Sequence, residues 1–130
     1  MCDLLIRKVR RQDPEAVTVA LHAAAQKHQF GVLNVTDLGE KLRAKGLPFT
    51  AICRVFDVCQ PAAAAAVLQQ QMAVAAVLPC RVALYERDGV LELGTVRPTA
   101  LLSHFGNPAL LEAARAIEEA LTQMLDEAAA

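Results

Sequence analysis

Residues 59–80 read CQPAAAAAVLQQQMAVAAVLPC, and the other predicted elements are arranged around this stretch. Proline favours the first position of a helix, and the alanines that follow are strong helix formers, so the stretch predicts a helix from Pro61 to Val77. Cys59 lies just before this helix, and Cys80 lies just after it, next to Pro79. Both thiols therefore occupy predicted junctions between a strand and a helix, where a backbone can present a side chain to a ligand.

Strands are predicted on both sides of this central helix. The range Phe49 to Val58 is rich in β-branched and aromatic residues and is the strongest predicted strand. Residues 80–87 and 90–96 predict a hairpin, because Asp88-Gly89 between them favours a tight turn. Two further strands are predicted nearer the N-terminus, at Leu4 to Val9 and at Val32 to Thr36.

The remaining segments predict helices that begin at recognisable caps. Asp13-Pro14 provides an N-cap and a first-turn proline for a helix that runs to about Lys27. Asp37 and Glu40 have the spacing of a capping box for a short helix, and Asn107-Pro108 starts the last one. The chain therefore predicts an α+β fold, with one domain over residues 1–130. We expect a two-layer sandwich in which helices cover a mixed β-sheet of about five strands.

Composition and charge argue against several classes of protein. The net charge is −1, and the chain has four Phe, one Tyr and no Trp, whereas a nucleic-acid surface needs a basic face and often stacking rings. No apolar stretch reaches the roughly 18–20 residues that span a bilayer, and the N-terminus lacks the apolar core of a signal peptide. We therefore expect a cytoplasmic protein that binds neither nucleic acid nor membrane.

The four cysteines, at positions 2, 53, 59 and 80, do not have the spacing of a zinc site. The three histidines are far from them in sequence, so we expect no metal site. A straight helix over residues 61–77 is about 25 Å long, which places Cys59 and Cys80 too far apart for a disulfide. The two would meet only if the chain folded back near residues 69–71, and that segment contains neither Gly nor Pro.

Four residues are candidates for a ligand-binding site: Cys59, Cys80, His104 and Asp57. The positive end of the helix dipole favours a thiolate at Cys59, whereas a carboxylate at Asp57, two residues earlier, disfavours it. Cys80 starts a predicted strand, so no helix dipole favours a thiolate there. We expect Cys53 to be an ordinary core cysteine.

Four motifs occur in a fixed order along the chain: Phe30-Gly31-Val32, Cys59-x-Pro61, Leu78-Pro79-Cys80 with a strand that ends in Tyr85-Glu86, and Gly106-Asn107-Pro108. Together, from about Leu4 to Leu125, they resemble the bacterial and archaeal family called domain of unknown function number 302. The resemblance implies a compact α+β fold that tends to dimerise, and it implies no particular activity. The chain departs from the family pattern at Gln60, where Asn is usual, and at Asp57, where a small residue is usual.

The sequence supports three functional hypotheses. In the first, the chain is a homodimeric module that binds a small ligand or carries sulfur on Cys59, with Cys80 and His104 nearby. In the second, it is a sulfurtransferase-type or other thiol-dependent enzyme with Cys59 as nucleophile, which would need a base or a cationic partner; Asp57 has the wrong charge for that role. In the third, it is a structural or regulatory interaction domain whose cysteines belong to the core. Burial discriminates among them, because two inaccessible sulfurs would leave only the third hypothesis. The sequence leaves open whether the chain is an enzyme and whether it uses a cofactor.

Overall fold

The computed structural model describes residues 3–130, so Cys2 lies outside the described part of the chain. Along these residues, helices and strands alternate at first, and the chain ends with two consecutive strands followed by two consecutive helices. The strands are β1 (Leu4–Lys8), β2 (Gly31–Asp37), β3 (Cys53–Cys59), β4 (Cys80–Arg87) and β5 (Val90–Val96). The α-helices are α1 (Pro14–Lys27), α2 (Leu38–Ala44), α3 (Pro61–Gln70), α4 (Pro98–Ser103) and α5 (Ala109–Ala129), and a 3-10 helix spans Met72–Val77.

The five strands form one sheet in the order β1-β5-β4-β3-β2. The predicted α+β class and the number of strands are confirmed. Within residues 3–130, every pair of neighbouring strands is antiparallel, so the sheet differs from the mixed sheet that we expected. Parallel neighbours arise when the connection between them crosses from one end of the sheet to the other. The long connection between β3 and β4 instead returns to the end from which it left, since Val58 pairs with Cys80.

The predicted helix from Pro61 to Val77 is interrupted at Gln71. Helix α3 ends one residue earlier, Gln71 has an extended backbone (φ −161°, ψ 110°), and the 3-10 helix then leads the chain back to the sheet. An extended backbone is open to any residue, so the break needs neither Gly nor Pro. It allows Val67 and Val74 to be fully buried in the core, and Asn107 Nδ2 donates a hydrogen bond to Gln71 Oε1 at 3.3 Å. This tertiary packing outweighs the helix propensity of the alanine-rich segment.

The predicted starts of α1 and α2 and the predicted hairpin are confirmed. At the start of α1, the Asp13 carboxylate accepts a hydrogen bond from the Glu15 backbone N–H (3.1 Å). At the start of α2, the Asp37 carboxylate accepts one from the Glu40 N–H (2.9 Å). Both residues of Asp88-Gly89 have positive φ angles, 54° and 78°, as a tight type I′ hairpin turn requires.

The core lies between the helices and one face of the sheet. Alternate strand residues point to this face, as the period of two requires. They are buried, and they include Leu5, Phe56, Val58, Val82, Leu84, Leu91 and Leu93. Helix α5 packs beside them with the apolar stripe that its sequence predicts, which contains Leu110, Ile117, Leu121 and Met124. Helices α1, α3 and α4 pack against α5 and complete the layer.

The opposite face of the sheet, called the outer face below, combines a polar cluster with exposed apolar residues. Glu92 is buried there and accepts hydrogen bonds from an Arg87 terminal nitrogen (2.8 Å) and from the Tyr85 hydroxyl (2.9 Å). These hydrogen bonds lower the pKa of Glu92, whereas burial, with the Glu92 contact, raises the pKa of Tyr85 to about 12. Ile6 and Val96 lie on the same face and are about two-fifths exposed (40% and 38%). The outer face therefore has exposed apolar surface around a charged residue, Glu92, whose hydrogen bonds are made within the same chain.

We expect Val74→Ala to lower the free energy of unfolding by about 2 kcal/mol, because it removes two fully buried methyl groups. Met72→Ala is the control in the same 3-10 helix, since Met72 is 71% exposed, and its effect should stay below about 0.5 kcal/mol. Urea unfolding followed by circular dichroism measures both values. Equal effects of the two substitutions would contradict the burial of Val74 that the reversal at Gln71 produces.

Candidate functional site at Cys59 and Cys80

The reversal at Gln71 brings Cys59 and Cys80 to the same end of the sheet. Cys80 is the cross-strand partner of Val58, the residue just before Cys59. Partners in an antiparallel pair have Cα atoms about 5 Å apart and strands advance about 3.4 Å per residue, so the Cα atoms of the two cysteines lie about 6 Å apart. The expectation that a straight helix holds them at opposite ends of the connection is therefore wrong. Its error lies in the assumption that a break in that helix needs Gly or Pro.

Both cysteines line one small cavity of about 20 Å³ between the sheet, α3 and α5. Its wall is almost entirely apolar: the other lining residues are Phe30, Val58, Gln60, Ala63, Ala64, Leu78, Pro79 and Ile117. Cys80 also lines a larger cavity of about 340 Å³ and a second small one, so it lies where three cavities adjoin. Each of the two cysteines is partly exposed.

Cys80 is a protonated thiol at neutral pH. Burial raises its pKa to about 11, and the nearby Cys59 thiol contributes in the same direction. A protonated thiol is a weak nucleophile, so Cys80 is better suited to form the wall of the site than to attack a substrate. Cys59 differs in position, because it is the last residue of β3 and is followed by Gln60, the N-cap of α3.

The junction after Cys59 lacks a side-chain cap. Gln60 makes no side-chain hydrogen bond to the start of α3, and Pro61 occupies the first helical position. The N-terminal N–H groups of α3 therefore receive no side-chain cap from Gln60.

Asp57 is paired with Arg81 rather than directed into the cavity. The two are cross-strand partners on the outer face, and the Asp57 Oδ1 to Arg81 Nε distance is 3.3 Å. Nevertheless Oδ1, which is buried, receives no hydrogen bond, so the contact is an ion pair with poor hydrogen-bond geometry. The Arg81 side chain is 74% exposed and that of Asp57 is 19% exposed.

His104 and Cys53 lie apart from this arrangement. His104 is exposed at the C-terminal end of α4, and it is not among the residues that line the three cavities around Cys80. Cys53 starts β3, is partly exposed and has Tyr85 as its cross-strand partner. Burial and the charge of Asp37 raise the pKa of Cys53, so it is also a protonated thiol at neutral pH.

Sequence reasoning missed most of the wall of the large cavity. Thr95 and Val96 come from β5, and Leu101 comes from α4, and none of these lies in a motif with Cys80. Arg81 also lines this cavity, and its position next to Cys80 was the one signal that could have been read, because a cation beside a thiol is a common pairing at reactive sites.

No group of three or more His, Cys, Asp or Glu side chains within residues 3–130 is arranged to hold a metal ion. No helix in that range combines the length and the apolar character needed to cross a membrane.

Comparisons with known proteins agree with this fold. The model of a family described as "Domain of unknown function DUF302" matches residues 6–128. A solved structure from Bacillus stearothermophilus, described as an uncharacterized conserved protein DUF302, is 31% identical and superposes with a TM-score of 0.95. That alignment covers 98% of this chain and 99% of the other. None of the curated proteins matches this chain.

We expect mild oxidation with diamide to join Cys59 and Cys80, because their Cα atoms lie about 6 Å apart and both residues line one cavity where Cys59 ends β3. Diamide takes up two hydrogens as the disulfide forms, so the intact mass falls by about 2 Da. Peptide mapping identifies the linked residues. Cys59→Ser and Cys80→Ser should each abolish this link, whereas Cys53→Ser should leave it unchanged. A wild-type protein that forms no such link, or a link that disappears in Cys53→Ser, would contradict the geometry.

Proposed function

The chain belongs to the family of the domain of unknown function DUF302, and we propose that it is a homodimeric module that binds a small ligand or carries sulfur at Cys59. One observation carries the proposal: two thiols from opposite ends of a long connection line the same apolar cavity and are both partly exposed. We also propose a cytoplasmic location, since thiols are kept reduced there.

Cys59 is the residue that accepts the group, and Cys80 forms the opposite wall. The pKa of Cys80, about 11, keeps it protonated and weakly nucleophilic at neutral pH. Cys59 lies at the N-terminal end of α3, where the helix dipole favours an anion. The two thiols therefore have different roles although they share a cavity.

Sulfur carriage at this site requires one exchange step with a low-molecular-weight persulfide, R–S–SH, as donor. The Cys59 thiolate attacks the outer sulfur, the S–S bond of the donor breaks, and its electron pair leaves with R–S⁻, which takes up a proton. The product is Cys59–S–SH and the thiol R–SH, and no external oxidant is needed. Phe30, Leu78 and Ile117 line the cavity and would limit access of water and of other thiols to the bound sulfur.

Two observations weigh against the alternative functions. An interaction domain with purely core cysteines predicts inaccessible sulfurs, but Cys59 and Cys80 are both partly exposed. A thiol-dependent enzyme needs a base or a cation at its nucleophile, and apart from the two thiols, the residues of 3–130 that line their shared cavity include no ionisable side chain. Binding or carriage needs no such group, and it is therefore the function that the site supports best.

We expect treatment with a small persulfide to add one sulfur atom, about 32 Da, to Cys59, and reductant to remove it. Intact mass measurement of protein purified without reductant, followed by peptide mapping, locates the adduct. Cys53→Ser is the matched control and should retain the adduct, because Cys53 lies outside the cavity. Equal labelling of wild type and Cys59→Ser would refute Cys59 as the acceptor.

The outer face supports the homodimeric part of the proposal. Its apolar residues include Ile6 and Val96, which flank Gly94 near the edge strand β1. Pairing of two outer faces would remove this apolar surface from water while Glu92 keeps its hydrogen bonds within one subunit.

We expect light scattering to give about 28 kDa for the wild type, twice the 13.9 kDa of one chain. Ile6→Lys should give a monomer, because it places a charge in the apolar part of the outer face. Leu47→Lys is the control at an exposed leucine outside the sheet and should remain a dimer. A monomeric wild type, or a dimer that persists in Ile6→Lys, would contradict this assignment.

A further inference from the structure

The large cavity next to Cys80 has the size and the wall of a small-molecule site. Its volume of about 340 Å³ lies within the range of roughly 300–1,000 Å³ that is typical of ligand pockets. The wall is mostly apolar and comes from the 3-10 helix, the segment after it, β5 and α4; its apolar members are Ala76, Val77, Leu78, Pro79, Val96 and Leu101. A ligand with an apolar body is therefore required.

This cavity has few polar side chains. One of them is already hydrogen-bonded within the chain, and another is an uncharged thiol. The Thr95 hydroxyl donates a hydrogen bond to the Arg81 carbonyl oxygen at 2.6 Å. The Cys80 thiol is protonated at neutral pH, because burial raises its pKa. Among the described residues that line the cavity, Arg81 alone carries a charge.

The Arg81 guanidinium retains binding capacity that other arginines have lost. Arg54 donates a hydrogen bond to the Glu15 carboxylate, and Arg87 donates two to Glu92. Within residues 3–130, the Arg81 guanidinium has one ion-pair partner, Asp57, whose contact involves Nε and is not a hydrogen bond. Its two terminal nitrogens are thus available to donate a pair of hydrogen bonds to a carboxylate.

We propose that this cavity binds a small organic carboxylate, with the apolar chain against the wall and the carboxylate on the terminal nitrogens of Arg81. The inference rests on the proposed function and defines its ligand, because Cys80 lines both this cavity and the one that holds Cys59. A carboxylate bound here has its chain next to the cysteine pair. Asp57 stays on Nε, so the anion does not have to displace it.

Hexanoate and its neutral analogue hexanamide test the inference, because they differ in charge and share one apolar chain. We expect isothermal titration calorimetry to show hexanoate binding about tenfold more tightly than hexanamide. Arg81→Gln should remove this preference, so that both compounds bind with the affinity of hexanamide. Arg115→Gln is the matched control on α5: it makes the same charge change outside the cavity and should keep the full preference. Ala76→Trp should weaken both compounds, because Ala76 is exposed and lines the cavity.

Each remaining outcome overturns the inference. Equal affinity of the wild type for the two compounds would show that Arg81 does not bind the carboxylate. An equal loss of the preference for hexanoate in Arg81→Gln and Arg115→Gln would indicate non-specific attraction. Failure of both compounds to bind would reject this ligand class. These failures are distinguishable from failure of the proposed function, since the sulfur adduct on Cys59 is measured by mass without any carboxylate present.

Discussion

Burial of Val67 and Val74 between the sheet and α5 is the interaction on which the rest of the structure depends. These residues lie on opposite sides of Gln71, where the alanine-rich segment turns back, and both are fully buried. After the reversal, the chain returns to the end of β3 at which the connection began. Consequently β4 pairs antiparallel beside β3, β5 follows through a tight turn, and β1 closes the far edge.

The same reversal creates the site and sets its chemical character. It places two thiols in an apolar environment, and desolvation there keeps Cys80 protonated. Charge is confined to the rim, where Arg81 and Asp57 face each other on the outer side of the sheet. A site with an apolar interior, two thiols and a cation at its mouth can bind and shelter a group. The proposed binding or carriage of a group rests on this arrangement.

Much of the fold could be predicted from local sequence. Asp13 and Asp37 cap their helices through hydrogen bonds to residues two and three positions away, and Asp88-Gly89 forms its turn through its own backbone angles. The site could be predicted only in part. Cys59 and Cys80 were chosen for their places at junctions, but the expectation that they lie far apart was wrong, and His104 lies away from the cavities. The break at Gln71 has no local signal, since glutamine is a good helix former that can also adopt an extended backbone.

By itself, the sequence determined most of the helices and strands, which face of α5 is apolar, and which residues are candidates for chemistry. Those properties depend on neighbours within about four positions, and the local sequence therefore encodes them. The tertiary structure alone decided that the sheet is antiparallel, that Cys59 meets Cys80, and that Thr95, Val96 and Leu101 complete the cavity beside Arg81. The physical reason is that these contacts join residues distant in sequence, and they form because the whole core is buried together rather than because any one segment prefers them.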